Sequence, residues 1–134
     1  MIVLDASAVV ELLLGTRLGR SIAARIADPE LGLHVPHLLD VEVTQALRRY
    51  VQSGELDQAS AEAALDHLSL LDIERHAHEP LLDRVWALRQ NLTAYDAVYV
   101  ALAEALDAPL MTGDRKLARA PGVRAQVELV QDLP

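Results

Sequence analysis

MIVLDASAVVELLL, the stretch Met1–Leu14, joins a short apolar strand to the start of a helix. Ile2-Val3-Leu4 is a β-branched-rich run of the kind that lies buried on both faces of a parallel sheet. Asp5 ends that run, and helical spacing begins directly after it. Open α/β sheets bind ligands at the carboxyl ends of their strands. Asp5 is therefore either a ligand-binding residue or the N-cap of the helix, with Ser7 as the alternative cap.

Length and composition predict one soluble domain that comprises residues 1–134. No apolar run reaches the roughly 20 residues that span a bilayer. Asp5 and Glu11 interrupt the apolar N-terminus, so we expect neither a signal peptide nor a membrane association. The chain has no cysteine, which excludes a disulfide framework, a thiolate metal site and a cysteine nucleophile. We therefore expect a cytoplasmic protein.

The net charge of −8 argues against a broad nucleic-acid-binding surface, because non-specific affinity depends on Lys and Arg contacts with phosphates. Aromatic residues are scarce, and Phe is absent. A platform on which bases stack is therefore not expected. If the protein acts on nucleic acid, it must do so locally, through a metal ion and a few arginines.

Short strands alternate with amphipathic helices along the chain. The strands are predicted at residues 2–4, 33–35, 71–74, 110–112 and 127–130. The helices are predicted at residues 7–14, 16–28, 37–53, 57–71, 80–90 and 93–106. In the fifth helix the inward residues are expected to be Leu82, Val85 and Trp86. The alternation predicts an α/β fold with a mostly parallel sheet of four to five short strands, flanked by helices on both faces.

Four carboxylates stand where these elements begin or end: Asp5, Glu42, Asp96 and Asp114. Two of them follow predicted strands, and the other two lie in the first turns of predicted helices. These positions can converge on the carboxyl edge of one sheet. Close carboxylates repel by several kcal/mol per pair at an effective dielectric of about 20, so a cluster needs a cation or partial protonation. Oxygen ligands without His or Cys favour Mg²⁺, with Mn²⁺ as a substitute, over zinc.

Each carboxylate also has an ordinary structural interpretation. Asp96 forms a capping box with Thr93, and Asp114 lies in a Gly-Asp turn. Glu42 is compatible with an exposed acid near a helix N-terminus, where the helix dipole favours negative charge. Asp40 flanks the other edge of the same apolar stripe, and the spacing does not distinguish it from Glu42.

Four segments carry a family resemblance: IVLDASA at 2–8, PHLLDVE at 36–42, LTAYDAVYVALA at 92–103 and TGDRKL at 112–117. In this order they span almost the whole chain and closely resemble the PIN-domain ribonucleases, and among them the VapC-type toxins of type II toxin–antitoxin systems. The resemblance implies a PIN-like fold. It also implies a catalytic, metal-binding quartet that consists of Asp5, Glu42, Asp96 and Asp114.

The resemblance favours Glu42 over Asp40 because of its distance from Pro36. It also implies that Ser7 and Thr112 form hydrogen bonds around the metal site. No member of the quartet is missing, so the resemblance implies an active enzyme.

The implied reaction is Mg²⁺-dependent endonucleolytic hydrolysis of an RNA phosphodiester by metal-activated water. VapC-type toxins are usually homodimers, and a VapB-type antitoxin neutralises them with a C-terminal segment that crosses the active site. Arg115 and Lys116 follow Asp114 and are candidate contacts for the RNA backbone, although solvated surface charges are an equally good interpretation.

Two other functions are compatible with parts of the sequence. Phosphotransfer enzymes of the haloacid-dehalogenase type also begin with a strand that ends in Asp, but they require a second Asp two residues later, where this chain has Ser7. A non-catalytic α/β interaction module would use the acids only as helix caps. His76 and His78 are expected to be exposed polar surface rather than a metal-binding pair.

Overall fold

A computed structural model describes residues 1–134 and contains five β-strands in one sheet. The strands are β1 (Ile2–Leu4), β2 (Leu33–Pro36), β3 (Ile73–His76), β4 (Leu110–Thr112) and β5 (Val127–Leu129). Every neighbouring pair is parallel, and the order across the sheet is β3-β2-β1-β4-β5. The prediction of a parallel α/β sheet is confirmed, and β1 is its central strand.

Seven α-helices surround this sheet. They are α1 (Ala6–Leu14), α2 (Arg17–Arg25), α3 (Leu38–Gln52), α4 (Gln58–Leu70), α5 (Leu82–Ala87), α6 (Ala94–Leu106) and α7 (Arg115–Arg119). A 3₁₀ turn, Glu79–Leu81, precedes α5. None of the helices is long and apolar enough to cross a membrane.

The central strand is covered on both faces. Ile2, Val3 and Leu4 have no exposed surface, although their side chains alternate between the two sides of the sheet. Val3 pairs with His34 on β2 and with Leu110 on β4. This register places the end of β1 beside the end of β4, which is where the acidic residues of the two strand ends lie.

The structure corrects two local predictions. Trp86 and Leu82 are 68% and 52% exposed, and the inward stripe consists of Leu81, Val85 and Leu88. Leu81 in the 3₁₀ turn, Val85 in α5 and Leu88 directly after it have the i, i+4, i+7 spacing of one helix face, and both the turn and α5 contact α6. The exposed indole ring instead contacts the guanidinium of Arg89, whose carbon lies 4.6 Å from the ring centroid.

The third strand lies two residues further along the chain than predicted, at Ile73–His76 instead of 71–74. Its exposed edge and mixed composition give a weak periodic signal, and its register is fixed by pairing with β2. The shift matters because it brings His76 into the sheet.

Candidate active site

Asp5 is both a helix cap and a member of the acidic cluster. Its Oδ1 accepts hydrogen bonds from the Ala8 amide, at 3.0 Å, and from the Ser7 hydroxyl, at 2.6 Å. Its Oδ2 accepts a hydrogen bond from the Thr112 hydroxyl. The side chain is almost fully buried, and the residue is 7% exposed. These contacts fix the carboxylate in one orientation at the carboxyl end of the central strand.

Ser7 and Thr112 connect the turns that follow β1 and β4. The Ser7 hydroxyl accepts a hydrogen bond from the Gly113 amide, at 2.9 Å, while it donates to Asp5. The Thr112 hydroxyl accepts from the Asp114 amide, at 3.0 Å. A Cβ at Gly113 would lie 3.3 Å from Ser7 Oγ, so a glycine allows this close approach. The two turns therefore form one hydrogen-bonded unit.

Glu42 lies in the second turn of α3, and a side chain of α6 fixes its carboxylate. Its Oε1 accepts a hydrogen bond from the Tyr99 hydroxyl, at 2.6 Å. Tyr99 is 2% exposed, and burial together with the adjacent Glu42 carboxylate raises the pKa of its phenol, which stays protonated as a donor. Sequence reasoning missed this role of Tyr99. The available signal was its position three residues after Asp96, which puts both side chains on one helix face.

Asp96 and Asp114 occupy the starts of α6 and α7. The Thr93 hydroxyl caps α6 by accepting from the Asp96 amide, at 3.2 Å, as predicted. Asp114 caps α7, a helix that was not predicted, and its Oδ1 accepts from the Lys116 amide at 2.8 Å and from the Leu117 amide at 3.4 Å. Both carboxylates are half-buried.

The acids interact electrostatically as one group. Burial raises the pKa values of Asp5, Glu42 and Asp96 above those of ordinary carboxyls. Repulsion adds to the effect of burial on these pKa values. Asp96 repels both Asp5 and Glu42, and Asp114 repels Asp96. None of the four acids forms a salt bridge with a Lys, Arg or His side chain.

This donor set fits a hard divalent cation. All the donors are oxygens, and the group carries negative charge that no cationic side chain neutralises. No three of the four carboxylates have ligand oxygens within 4.8 Å of one another, so a cation could be bound directly by only one or two of them and by the others through water. Hard divalent cations accept this mode of binding, because they usually retain several waters and take only one or two carboxylates directly.

Asp40 and Glu42 have different surroundings. Asp40 forms a bidentate ion pair with Arg75 on β3, with N–O distances of 2.7 and 2.9 Å. Its charge is therefore already neutralised. Arg115 and Lys116 are exposed at the start of α7, and neither forms an ion pair.

The prediction that His76 and His78 are exposed is wrong. His76 and His78 are half-buried, and both make specific contacts. His78 Nε2 accepts a hydrogen bond from the Leu38 amide at 2.9 Å, and His76 Nε2 lies 2.9 Å from His34 Nδ1. Both contacts join segments that are distant in sequence, so spacing within the local motif did not reveal them.

Comparison with known proteins identifies the family. The PIN domain profile matches residues 2–123. Ribonuclease VapC1 of Mycobacterium tuberculosis is 47% identical over 130 residues, which are 96% of this chain and 97% of that protein. The chain therefore belongs to the PIN-domain family, and within it to the VapC ribonucleases. This membership excludes the haloacid-dehalogenase alternative.

Solved structures have the same fold. The crystal structure of PAE2754 from Pyrobaculum aerophilum matches with a TM-score of 0.72 at 25% identity, over 97% of this chain and 84% of that one. VapBC2 from Rickettsia felis, bound to a DNA fragment from its promoter, matches with a TM-score of 0.69 at 16% identity, over 96% of this chain and 98% of that one. The second likeness is one of fold alone.

Proposed function

We propose that this protein is an Mg²⁺-dependent endoribonuclease toxin that hydrolyses RNA phosphodiester bonds and is neutralised by a VapB-type antitoxin. The catalytic and metal-binding residues are Asp5, Glu42, Asp96 and Asp114. The observation that carries this proposal is the group of four carboxylates at one sheet edge, with raised pKa values in three of them and no cationic partner. Membership of the VapC ribonucleases supplies the reaction class.

The hydrogen bonds leave each carboxylate with a free acceptor. A carboxylate has about four acceptor positions, and three of those on Asp5 are occupied by Ser7, Ala8 and Thr112. Glu42 uses Oε1 for Tyr99, and Asp114 uses Oδ1 for backbone amides, so Oε2 and Oδ2 have no protein donor. The fixed oxygens orient the free ones, which are the proposed ligands for the cation.

Mg²⁺, with Mn²⁺ as a substitute, would be held by these free oxygens. When bound, such an ion supplies Lewis acidity that activates water and neutralises negative charge on the phosphate. Asp5 serves as the central fixed ligand, because it is the most buried of the four acids. Ser7 and Thr112 act as positioning residues that keep Asp5 in its orientation.

The RNA backbone is proposed to lie near the start of α7. Arg115 and Lys116 are exposed there and have no acidic partner, so they are free to contact phosphates beside Asp114. Their contribution to affinity would weaken with salt.

Two protein partners complete the proposal: a second copy of the chain and a VapB-type antitoxin. The Rickettsia felis neighbour is a VapBC complex, which supports an antitoxin partner for this chain. An acidic cluster without a cationic neighbour suits inhibition by a basic segment that enters the site. Light scattering on the isolated chain tests the dimer, and a monomeric mass would contradict it.

The activity is tested by incubating the purified chain with total RNA in Mg²⁺, in Mn²⁺ and in EDTA. Cleavage in either metal and none in EDTA is the expected result. Sequencing of the new 5′ ends would then identify the RNA and the site. Absence of cleavage, together with a melting temperature that does not respond to either metal, would instead support the non-catalytic interaction module.

A further inference from the structure

A second group of metal-ligating side chains lies on the neighbouring strands β2 and β3. His34 is on β2, and Glu74 and His76 are on the edge strand β3. The register pairs His34 with Glu74, and His76 follows two residues later on the same face. The acids of the proposed active site follow β1 and β4 or begin helices, so none of them belongs to this group.

The three ligand atoms are close to the spacing of a tetrahedral metal site. His34 Nδ1 lies 2.9 Å from His76 Nε2 and 3.4 Å from Glu74 Oε2, and all three atoms lie within 4.8 Å of one another. Zn²⁺ bonds of about 2.0–2.2 Å to nitrogen and oxygen separate tetrahedral ligands by roughly 3.3 Å. Small rotations of the half-buried His76 and the exposed Glu74 side chains provide the remaining adjustment. This is the only set of three His, Asp or Glu residues in the chain with such a spacing.

The group also has more acceptors than protons. In the neutral imidazoles, only one proton can lie between His34 Nδ1 and His76 Nε2, and the Glu74 carboxylate adds a further acceptor. Burial lowers the pKa of His34, which favours the neutral ring that ligates metals. A cation among the three atoms would accept one lone pair from each of them.

We propose that His34, Glu74 and His76 form a second metal site, which binds Zn²⁺ through three protein ligands and leaves a fourth position for water. Two imidazoles and one carboxylate favour zinc-like transition ions over Mg²⁺, which distinguishes this site from the acidic quartet. The ion connects β2 to β3. Because β3 pairs with no other strand, this link stabilises the edge of the sheet.

The test is a titration of the untagged, EDTA-treated full chain with Zn²⁺ in excess Mg²⁺, in which isothermal titration calorimetry measures the binding. Co²⁺ serves as a second probe, since its visible absorption reports tetrahedral ligation. We expect one Mg²⁺-insensitive Zn²⁺ per chain and a Zn²⁺-dependent rise in melting temperature. Glu74→Gln and His76→Asn should each weaken this binding at least about tenfold. Glu74 is the primary position, because its side chain is 68% exposed and its replacement leaves the core intact.

His67→Asn is the matched control, because His67 is an exposed histidine on α4 outside the group. Asp96→Asn controls for Zn²⁺ held by the acidic quartet. Both variants should bind the Mg²⁺-insensitive Zn²⁺ like the unchanged chain. The proposal is overturned if no such binding occurs, if Glu74→Gln and His76→Asn leave it unchanged, or if Asp96→Asn abolishes it.

Discussion

The Tyr99 hydroxyl donates a 2.6 Å hydrogen bond to Glu42 Oε1 and thereby links α6 to α3 across 57 residues of sequence. The phenol lies in the core, whereas the carboxylate is half-buried at the site. The bond fixes one oxygen of Glu42 and leaves the other free to bind a ligand. It also stabilises the ionised form, because hydrogen bonding to the carboxylate opposes the effect of burial on the pKa of Glu42.

Tyr99→Phe should therefore impair cleavage without unfolding the protein. The substitution removes only the donor, so we expect a loss of about tenfold in kcat/KM and of about 1 kcal/mol in unfolding free energy. The pKa of Glu42 should rise, so the acidic limb of the pH–rate profile should move to higher pH. Tyr50→Phe is the control, since the Tyr50 hydroxyl makes no hydrogen bond to another side chain. An unchanged pH profile in Tyr99→Phe would contradict this role.

The pH dependence of stability in the metal-free protein should report the acidic cluster. Because the folded state raises the pKa of Asp96, the folded chain binds more protons than the unfolded chain between the two pKa values. The contribution of this residue to stability therefore increases as the pH falls through that window and is unfavourable above it.

Asp96→Asn should remove this contribution. Melting of metal-free protein from about pH 8 to about pH 4 should show the variant to be the more stable form at high pH, with the difference shrinking toward low pH. Both proteins contain the same other titratable groups, such as His34, so the effects of these groups on stability cancel in the difference between the two proteins. A variant that is less stable at every pH would contradict mutual repulsion among the acids.

Asp5→Asn is a less direct probe of repulsion than Asp96→Asn. Asp5 accepts hydrogen bonds on both oxygens, and an amide nitrogen in place of Oδ2 would face the Thr112 hydroxyl without its acceptor. We expect the relief of repulsion to be offset by about 1–3 kcal/mol for the disrupted buried network.

Mg²⁺ should stabilise the folded protein through the acidic quartet. Binding to the folded state alone contributes about 2.7 kcal/mol when the ion is present at 100 times its Kd. We expect the melting temperature to rise with Mg²⁺ in the unchanged chain and in Asp40→Asn, because Arg75 already neutralises Asp40. The rise should be lost in Asp96→Asn. If Mg²⁺ raised the melting temperature of all three proteins equally, the ion would bind outside the quartet.

The contact between α1 and α2 should be sensitive to one methyl group. A Cβ at Gly19 would lie 2.0 Å from the Glu11 carbonyl oxygen, and that oxygen belongs to backbone that cannot rotate away. Gly19→Ala should reduce the unfolding free energy by about 3 kcal/mol or more, as measured by urea denaturation. Ser21→Ala on the same helix is the control and should change stability by less than about 0.5 kcal/mol. Equal stability of the two variants would show that the helices separate at little cost.

The parts of the fold that the sequence predicted are those with strong local signals. The apolar run of β1, the αL glycine that ends α1 and the Thr93 cap of α6 each lie within a few residues of the element they define. Helix α5 was predicted too long, and of its three predicted inward residues only Val85 is buried, whereas Leu82 and Trp86 are exposed. Helix α7 was missed because five residues are too few for a periodic pattern.

The sequence indicated the candidate residues one by one, but it did not indicate the hydrogen bonds that connect them. Motif order indicated the four acids together with Ser7 and Thr112, whereas the bonds between them join distant segments. The Ser7–Gly113 bond spans 106 residues, and the Thr112–Asp5 bond spans 107. Tyr99 shares a helix face with Asp96, but nothing near it in sequence indicates Glu42 as its partner. Likewise, the contact between His34 and His76 depends on a strand register that periodicity did not locate.

Single-turnover cleavage of RNA in saturating Mg²⁺ tests whether the acidic quartet is the catalytic group. The measurement compares the unchanged chain with Asp96→Asn and Asp40→Asn, which remove the same charge inside and outside the quartet. We predict a loss of at least about 100-fold in the rate for Asp96→Asn and a rate within about twofold of the unchanged chain for Asp40→Asn. Full activity in Asp96→Asn, or an equal loss in both variants, would show that the quartet is not the catalytic group.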